Sequence, residues 1–375
     1  MSAKKNDDRK SIVVVGGGSA GVQIARPLSS KLDATKYKLI LINPRPFRVL
    51  LPATLRMVVS NVDNLGTTKT ALVPFDKIFH GENGIFVQDS VRSIHEKTLT
   101  LGSGEQISYD ILILASGLAW ADPIAFPDNA EDVKAYLARS HEKFANANSY
   151  LLVGGGAVGC ELAGELKDIW PEKEVTIAHG QRLLFNETYS DRFRKSAADH
   201  LIRRGINILL NEIVRDLPSE AGPATVLTQS GLELSADLVL KTTGPTHPNT
   251  AFINSLDADI LTSAGYVKVQ PTLQLHKYPN IFAAGDIVEW KEQKQAIKAG
   301  AHAKIVTQNV LSYINGRSLK NYSSAFEAIL VTNGKRGGIS YFGLLWGLIF
   351  GGWFTSLLKS KSLLVPMFRK ESGLV

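Results

Sequence analysis

Apolar residues along this chain cluster in short unbroken runs, each closed by small residues and followed by a longer mixed stretch. Residues 12–15 are β-branched throughout and predict a strand buried on both faces. Glycines follow at once. Residues 22–28 predict a helix that tolerates Pro27, and residues 38–42 a second strand, which makes a βαβ unit of about 30 residues. Residues 85–91 and 98–101 alternate like the arms of a hairpin around Lys97 and Thr98. Residues 111–115 form another buried run, and the Pro- and Asp-rich connector 122–128 marks a first boundary.

The pattern then starts again. A helix is expected over 132–147, a strand at 150–153, a helix over 161–169 stopped near Pro171, and a strand at 174–178. A helix over 192–204 is closed by Gly205. Strands at 207–210, 225–228 and 238–240 lead to Thr243-Gly244-Pro245, a second boundary. A short apolar strand from Ile281 ends on Asp286, and a helix runs from about 295 to 314. The predicted class is α/β. Two Rossmann-like units are nested: residues 1–122 and 246–315 form one, residues 123–245 the other, and residues 316–375 a C-terminal α/β piece.

Both units open with the same turn. Gly16, Gly17, Gly18, Ser19, Ala20 and Gly21 are matched by Gly154, Gly156, Val158 and Gly159, with the first glycines 138 positions apart (154 minus 16). The first glycine permits the tight turn, the second lets a pyrophosphate approach the backbone, and the third lets helix and strand pack closely. The helix N-terminus offers free N–H groups and the positive end of its dipole. Two such turns suggest two dinucleotides facing each other, an arrangement for passing a hydride. Ala115-Ser116-Gly117 and Thr243-Gly244-Pro245 end buried runs with small residues where a cofactor could pass. Asp286 is either a carboxylate for a ribityl hydroxyl or a plain helix cap.

Composition narrows the picture. With 375 residues and 44% hydrophobic positions the chain suffices for two or three domains. Only the polar start, residues 1–10, is expected to be disordered. It has no apolar core of a secretion signal, and Ser2 excludes N-myristoylation. Forty-two basic against 35 acidic residues give a mild +7. That suits an acidic membrane surface or partner, but no dense basic run exists for nucleic acid. Cys160 is the sole cysteine, so neither an internal disulfide nor a redox-active cysteine pair can form, which fits a reducing compartment. No metal-ligand cluster is expected.

On the two glycine turns, Ala115-Ser-Gly117, Gly285-Asp286 and Glu172-Lys-Glu-Val-Thr-Ile-Ala-His179, the chain resembles the pyridine-nucleotide-disulfide-oxidoreductase-like flavoproteins. Within them it is similar to the apoptosis-inducing-factor-like branch that includes ferroptosis suppressor protein and fungal relatives. The resemblance implies FAD on the first turn and NADH or NADPH on the second. It implies FAD contacts from Arg56, Val91 and Asp286. Glu161 matches an acid near nicotinamide and flavin, or is an ordinary first-turn helix carboxylate. Two positions depart: Asn43 and His179 stand where acids usually grip the FAD ribose and the NAD ribose. Arg45 could assist the first, and the second leaves NADPH admissible beside Gln181 and Arg182. The helix starting near Lys294, Gln295 and Ala296 would aim its N-terminus at the flavin. Lys294 would add a charge there or simply face solvent. His302 would line an acceptor channel or be a satisfied core histidine.

Residues 337–358 carry no charge over 22 positions and are rich in Trp, Phe and Leu. Lys335, Arg336, Lys359 and Lys361 flank them. As a helix they would be long enough to span a bilayer, and Gly343, Gly347 and Gly351 recur every four residues. Three readings stay open: insertion at a membrane surface, burial or a homodimer seam, and a membrane span. The expected function is an FAD-dependent NAD(P)H oxidoreductase reducing a ubiquinone-like quinone at a membrane surface. The rivals are a ferredoxin or iron–sulfur-protein reductase and a non-catalytic death effector. The expected location is cytoplasmic and membrane-associated, on the mitochondrial outer membrane or a lipid droplet.

Overall fold

Five parallel strands build the first sheet in the order Ile281–Ala283, Ile111–Leu114, Lys10–Val15, Tyr37–Asn43 and Ile85–Gln88. The computed structural model describes residues 8–60, 71–324 and 326–374; residues 1–7 of the polar start lie outside the described residues. Ile12, Val13 and Val14 are wholly buried, in one core with residues of the helices Ser19–Lys31 and Ala296–Ile314 and with Ile94, Leu99 and Leu101. Each such side chain contributes about 1.5–3 kcal/mol on burial. The helices Ser19–Lys31 and Ala296–Ile314 pack against each other beside this sheet.

A second sheet repeats the arrangement. Ile206–Leu210, Glu174–His179, Ser149–Val153 and Glu233–Lys241 run parallel, and Gly222–Leu227 adds an antiparallel edge. In both sheets the strand that feeds the glycine turn is central, with its βαβ partner on one side and a later strand on the other. The chain switches direction of winding there, so the two glycine turns lie at strand C-terminal ends, where open α/β sheets bind ligands.

Residues 85–91 are not one hairpin arm. Ile85–Gln88 joins the first sheet, whereas Val91–Ile94 pairs with Thr98–Leu101 in a separate three-stranded antiparallel sheet. Asp89 separates them: its carboxylate accepts from the Ser90 N–H at 2.7 Å and the Ser103 N–H at 3.2 Å, a local turn the hydrophobic pattern hides.

The uncharged C-terminal run is not a spanning helix. Ala328–Asn333, Gly337–Phe342 and Leu348–Phe350 form an antiparallel sheet, followed by the short helix Gly352–Thr355 and a π-helical turn over Ser356–Ser360. No helix among the described residues is long and apolar enough to cross a membrane. The glycines spaced by four serve turns and close approaches: Gly347 has φ +91° in the hairpin tip. The run has two faces. Ile339 and Tyr341 are buried in the core of the second unit. Leu345, Trp346, Trp353 and Leu357 are exposed, Trp346 almost completely at 99%.

Candidate functional site

The first glycine turn is closed on three sides by its own packing. Gly16 has φ +106°, and a Cβ there would strike the Ala115 carbonyl. A Cβ on Gly21 would strike the Gly16 carbonyl, and one on Gly17 the Phe75 ring. Gly18 alone faces open space, with nothing within 4 Å. Ser19, Ala20 and Gly21 then begin the helix, whose first N–H groups have no intrahelical acceptor. Asn43, at the end of its strand, accepts the Gly17 N–H at 2.9 Å and donates to the Arg45 carbonyl at 2.8 Å. Arg45 itself is drawn away, to Asp128 at 2.8 Å and the Phe126 carbonyl at 2.6 Å. Gly117 has φ +70° and open space before it. Gly285 packs on Ala20, 3.0 Å from a Cβ to its methyl, which brings Asp286 to the same cradle. Burial pushes the Asp286 carboxyl up, countered by the charge of Lys294.

The second turn reproduces this backbone. A Cβ on Gly154 would fall 2.7 Å from the Thr242 carbonyl, and one on Gly159 would strike the Gly154 carbonyl. Gly156 faces open space, as does Gly244, with φ +98°. Val158 lies in the first turn of the helix Ala157–Ile169. His179 holds the place of Asn43: its Nδ1 accepts the Gly155 N–H at 3.1 Å. Such an imidazole carries its proton on Nε2, which faces the Phe185 carbonyl at 3.3 Å. Burial lowers its pKa, which keeps the ring neutral.

Buried charges line the helix that follows the second turn. Glu161 and Glu165 sit one turn apart on Ala157–Ile169. Glu161 meets Lys359 Nζ at 2.6 Å and accepts the Thr332 N–H at 2.9 Å. Glu165 takes both arms of Arg56, at 2.8 and 2.7 Å, and Arg56 also donates to the Ser360 carbonyl at 2.9 Å. Burial raises the Glu165 pKa, opposed by Arg56. Arg56 Nη1 is buried without a partner. Glycine makes this contact close: a Cβ on Gly164 would lie 2.5 Å from the Gly334 nitrogen. Sequence reasoning read Lys359 only as a flank of the apolar run and did not single out Glu165.

The remaining expected residues scatter. Val91 opens a strand of the small antiparallel sheet, apart from either cradle's own sheet. Gln295 caps the helix that begins at Ala296; its Nε2 donates to Tyr189 Oη at 2.9 Å, and its Oε1 is buried and unpartnered. Lys294 turns to the Val288 carbonyl and lies 5.1 Å over the Tyr266 ring. Burial depresses its pKa, with Asp286 opposing. His302 is a buried core histidine. Its Nδ1 accepts the Gly285 N–H at 3.1 Å, and its Nε2 lies 3.0 Å from a Glu292 oxygen, out of hydrogen-bond alignment. Its pKa is lowered to about 4, chiefly by burial. Cys160 is buried with its thiol pKa raised, so no reactive thiolate forms there.

The family model of pyridine nucleotide-disulphide oxidoreductases matches residues 10–303. The chain is 44% identical over 322 residues to an FAD-dependent oxidoreductase of Flammulina velutipes, covering 84% of this chain and 99% of that protein. It is 30% identical over 374 residues to ferroptosis suppressor protein 1 of Taeniopygia guttata, covering 96% of this chain and 95% of that one. The sulfide:quinone oxidoreductase of Aquifex aeolicus superposes with a TM-score of 0.77 at 19% identity, covering 96% of this chain and 92% of that chain; that likeness is one of fold.

Proposed function

The chain belongs to the pyridine nucleotide-disulphide oxidoreductase family, and on that premise we propose that it is an FAD-dependent NAD(P)H oxidoreductase that hands electrons to a quinone at a membrane surface. FAD and a pyridine nucleotide are its cofactors. The residues present fit them: Gly18 and Gly156 leave open space at two helix N-termini. The Asp286 carboxylate has no hydrogen-bond partner among the described residues. FAD supplies the two-electron step between hydride donor and acceptor.

The protein's own part is positional. In the first cradle, Ser19 and Ala20 offer backbone N–H groups to phosphate, and Ala115, Gly117 and Gly285 admit the cofactor close to the chain. Asp286 accepts from a cofactor hydroxyl. In the second cradle, Gly154, Gly156, Val158 and Gly159 hold the nicotinamide nucleotide, with neutral His179 at the ribose end and Gly244 opposite. Glu161 and Lys359 set a fixed pair of opposite charges on the second cradle's helix. A lone buried thiol offers no internal disulfide, so electrons leave directly to a diffusing acceptor.

The observation that carries the acceptor is the run from Trp353 to Lys359. Trp353 and Leu357 are exposed, and two residues later Lys359 reaches the buried Glu161. One short stretch therefore joins an apolar surface to the charged interior, and Lys335, Arg336 and Lys361 lie exposed around it. That pairing of aromatic tip and basic rim suits an anionic bilayer surface and a lipid-soluble substrate. The test is steady-state NADH and NADPH oxidation with short-chain quinones, with and without anionic liposomes. Quinone-dependent turnover stimulated by liposomes is expected. Turnover with ferredoxin but never with quinones would sink the proposal.

A further inference from the structure

Arg48 is a cation with 3% of its side chain exposed, on the short strand Phe47–Val49. A guanidinium so buried needs a counter-charge. Its carboxylate neighbour is Glu371, whose Oε2 lies 3.5 Å from Nη1, at the limit of a hydrogen bond. Ser372 Oγ accepts from the same nitrogen at 3.3 Å, and the Phe368 ring lies 4.9 Å from the guanidinium carbon. The other arm, Nη2, donates at 3.1 Å to Ser19 Oγ. Ser19 follows Gly18, the glycine that faces open space, and begins the helix whose free N–H groups meet phosphate. Burial lowers the Arg48 pKa and raises that of Glu371, each shift opposed by the charge of the other.

The residues that hold Arg48 come from the chain's last helix, Val365–Glu371, and the turn after it. That turn is seated on the first cradle's own helix. Gly373 has φ +85°, and a Cβ there would strike the Lys77 carbonyl and Arg26, a residue of Ser19–Lys31. Arg26 itself donates to the Lys77 carbonyl at 2.8 Å. The second cradle is built otherwise: its helix starts Ala157-Val158-Gly159, with no side-chain hydroxyl in the place of Ser19, and Lys359 pairs with Glu161 further along it.

We infer that Arg48 is the cation that neutralises the pyrophosphate of the first cradle's dinucleotide, held in place by Glu371 and Ser372 of the C-terminal helix. This deepens the reading that the first cradle takes FAD and rests on it. Arg56, the arginine matched by resemblance, is paired with Glu165, whereas Arg48 donates to Ser19 in the turn itself.

The test is binding of FAD and of riboflavin, which lacks phosphate, to apoprotein, followed by flavin fluorescence. Arg48→Gln should raise the Kd for FAD about 10- to 100-fold, the scale of one charged hydrogen bond, and leave riboflavin unchanged. Arg48→Lys should lose less, because charge is kept and the fork is lost. Glu371→Gln should lose less still, since an amide oxygen also accepts. Equal losses for both flavins, or a Glu371→Gln effect exceeding that of Arg48→Gln, would make the role structural and overturn the inference. Wild type that binds FAD while Arg48→Gln binds it equally well overturns this inference alone. Wild type that fails to bind FAD removes the flavoprotein reading beneath it.

Discussion

Gly18 and Gly156 face matching open spaces, while Asn43 and His179 accept matching backbone N–H groups beside them. The two cradles thus share a backbone and differ in what surrounds it. The first is flanked by a buried arginine, the Asp286 carboxylate and the C-terminal helix. The second has a neutral imidazole, and its helix begins with the apolar or small residues Ala157, Val158 and Gly159. On the proposed function, the shared glycine geometry would serve phosphate in both cradles, and the side chains around it would divide retention of the flavin from exchange of the nucleotide.

Blocking each open space separately gives the largest expected effect. Gly18→Val should abolish flavin retention, read from the visible spectrum of the purified protein. Gly156→Val should keep the flavin and lower NADH oxidation more than about 100-fold. Equal loss of flavin in both variants would erase the distinction between the cradles.

Acid should bear on the first cradle through His302. Its pKa falls from 6.5 to about 4 on folding, so the unfolded chain binds that proton more readily. Its contribution is full above pH 6.5 and is lost as pH falls toward 4, by on the order of 3 kcal/mol. His302→Asn should flatten the decline in Tm across that window. An unchanged pH profile would place the acid sensitivity elsewhere.

The buried Glu161–Lys359 pair should follow at a similar scale. Lys359→Met leaves Glu161 buried with one backbone donor and should cost about 3 kcal/mol in urea unfolding. Adding Glu161→Gln to it should recover most of that loss. No recovery would mean that Lys359 acts through packing rather than charge.

The smallest effect concerns nucleotide choice. His179→Asp would set a carboxylate where a 2′-phosphate must pass and should favour NADH over NADPH by about tenfold in kcat/KM. Arg182 is already paired with Asp191 at 2.7 Å in an exposed position, so it offers little compensation. A shift toward NADPH would show that the ribose end lies away from His179.

Much of this was legible in the chain. Glycine spacing after apolar runs marks both cradles, because only glycine tolerates those carbonyl contacts. Asn43 and His179 were found as strand-end positions, and they hold equivalent places. The charge pairs were not legible. Glu161 and Lys359 are 198 positions apart, Arg56 and Glu165 109, and Arg48 and Glu371 323. Ion pairs across such separations leave no periodic trace. The C-terminal run misled because an uncharged stretch with glycines every four residues suits a helix pattern, whereas the left-handed residues Leu345, Trp346 and Gly347 turn it into a hairpin.

The edge strand Ile281–Ala283 pairs with Ile111–Leu114, yet every strand of the second sheet is encoded between them. On the ribosome, the later unit therefore emerges whole while the earlier one still lacks its border and Asp286. The second sheet can close first, and the first cradle is complete only on the return of the chain.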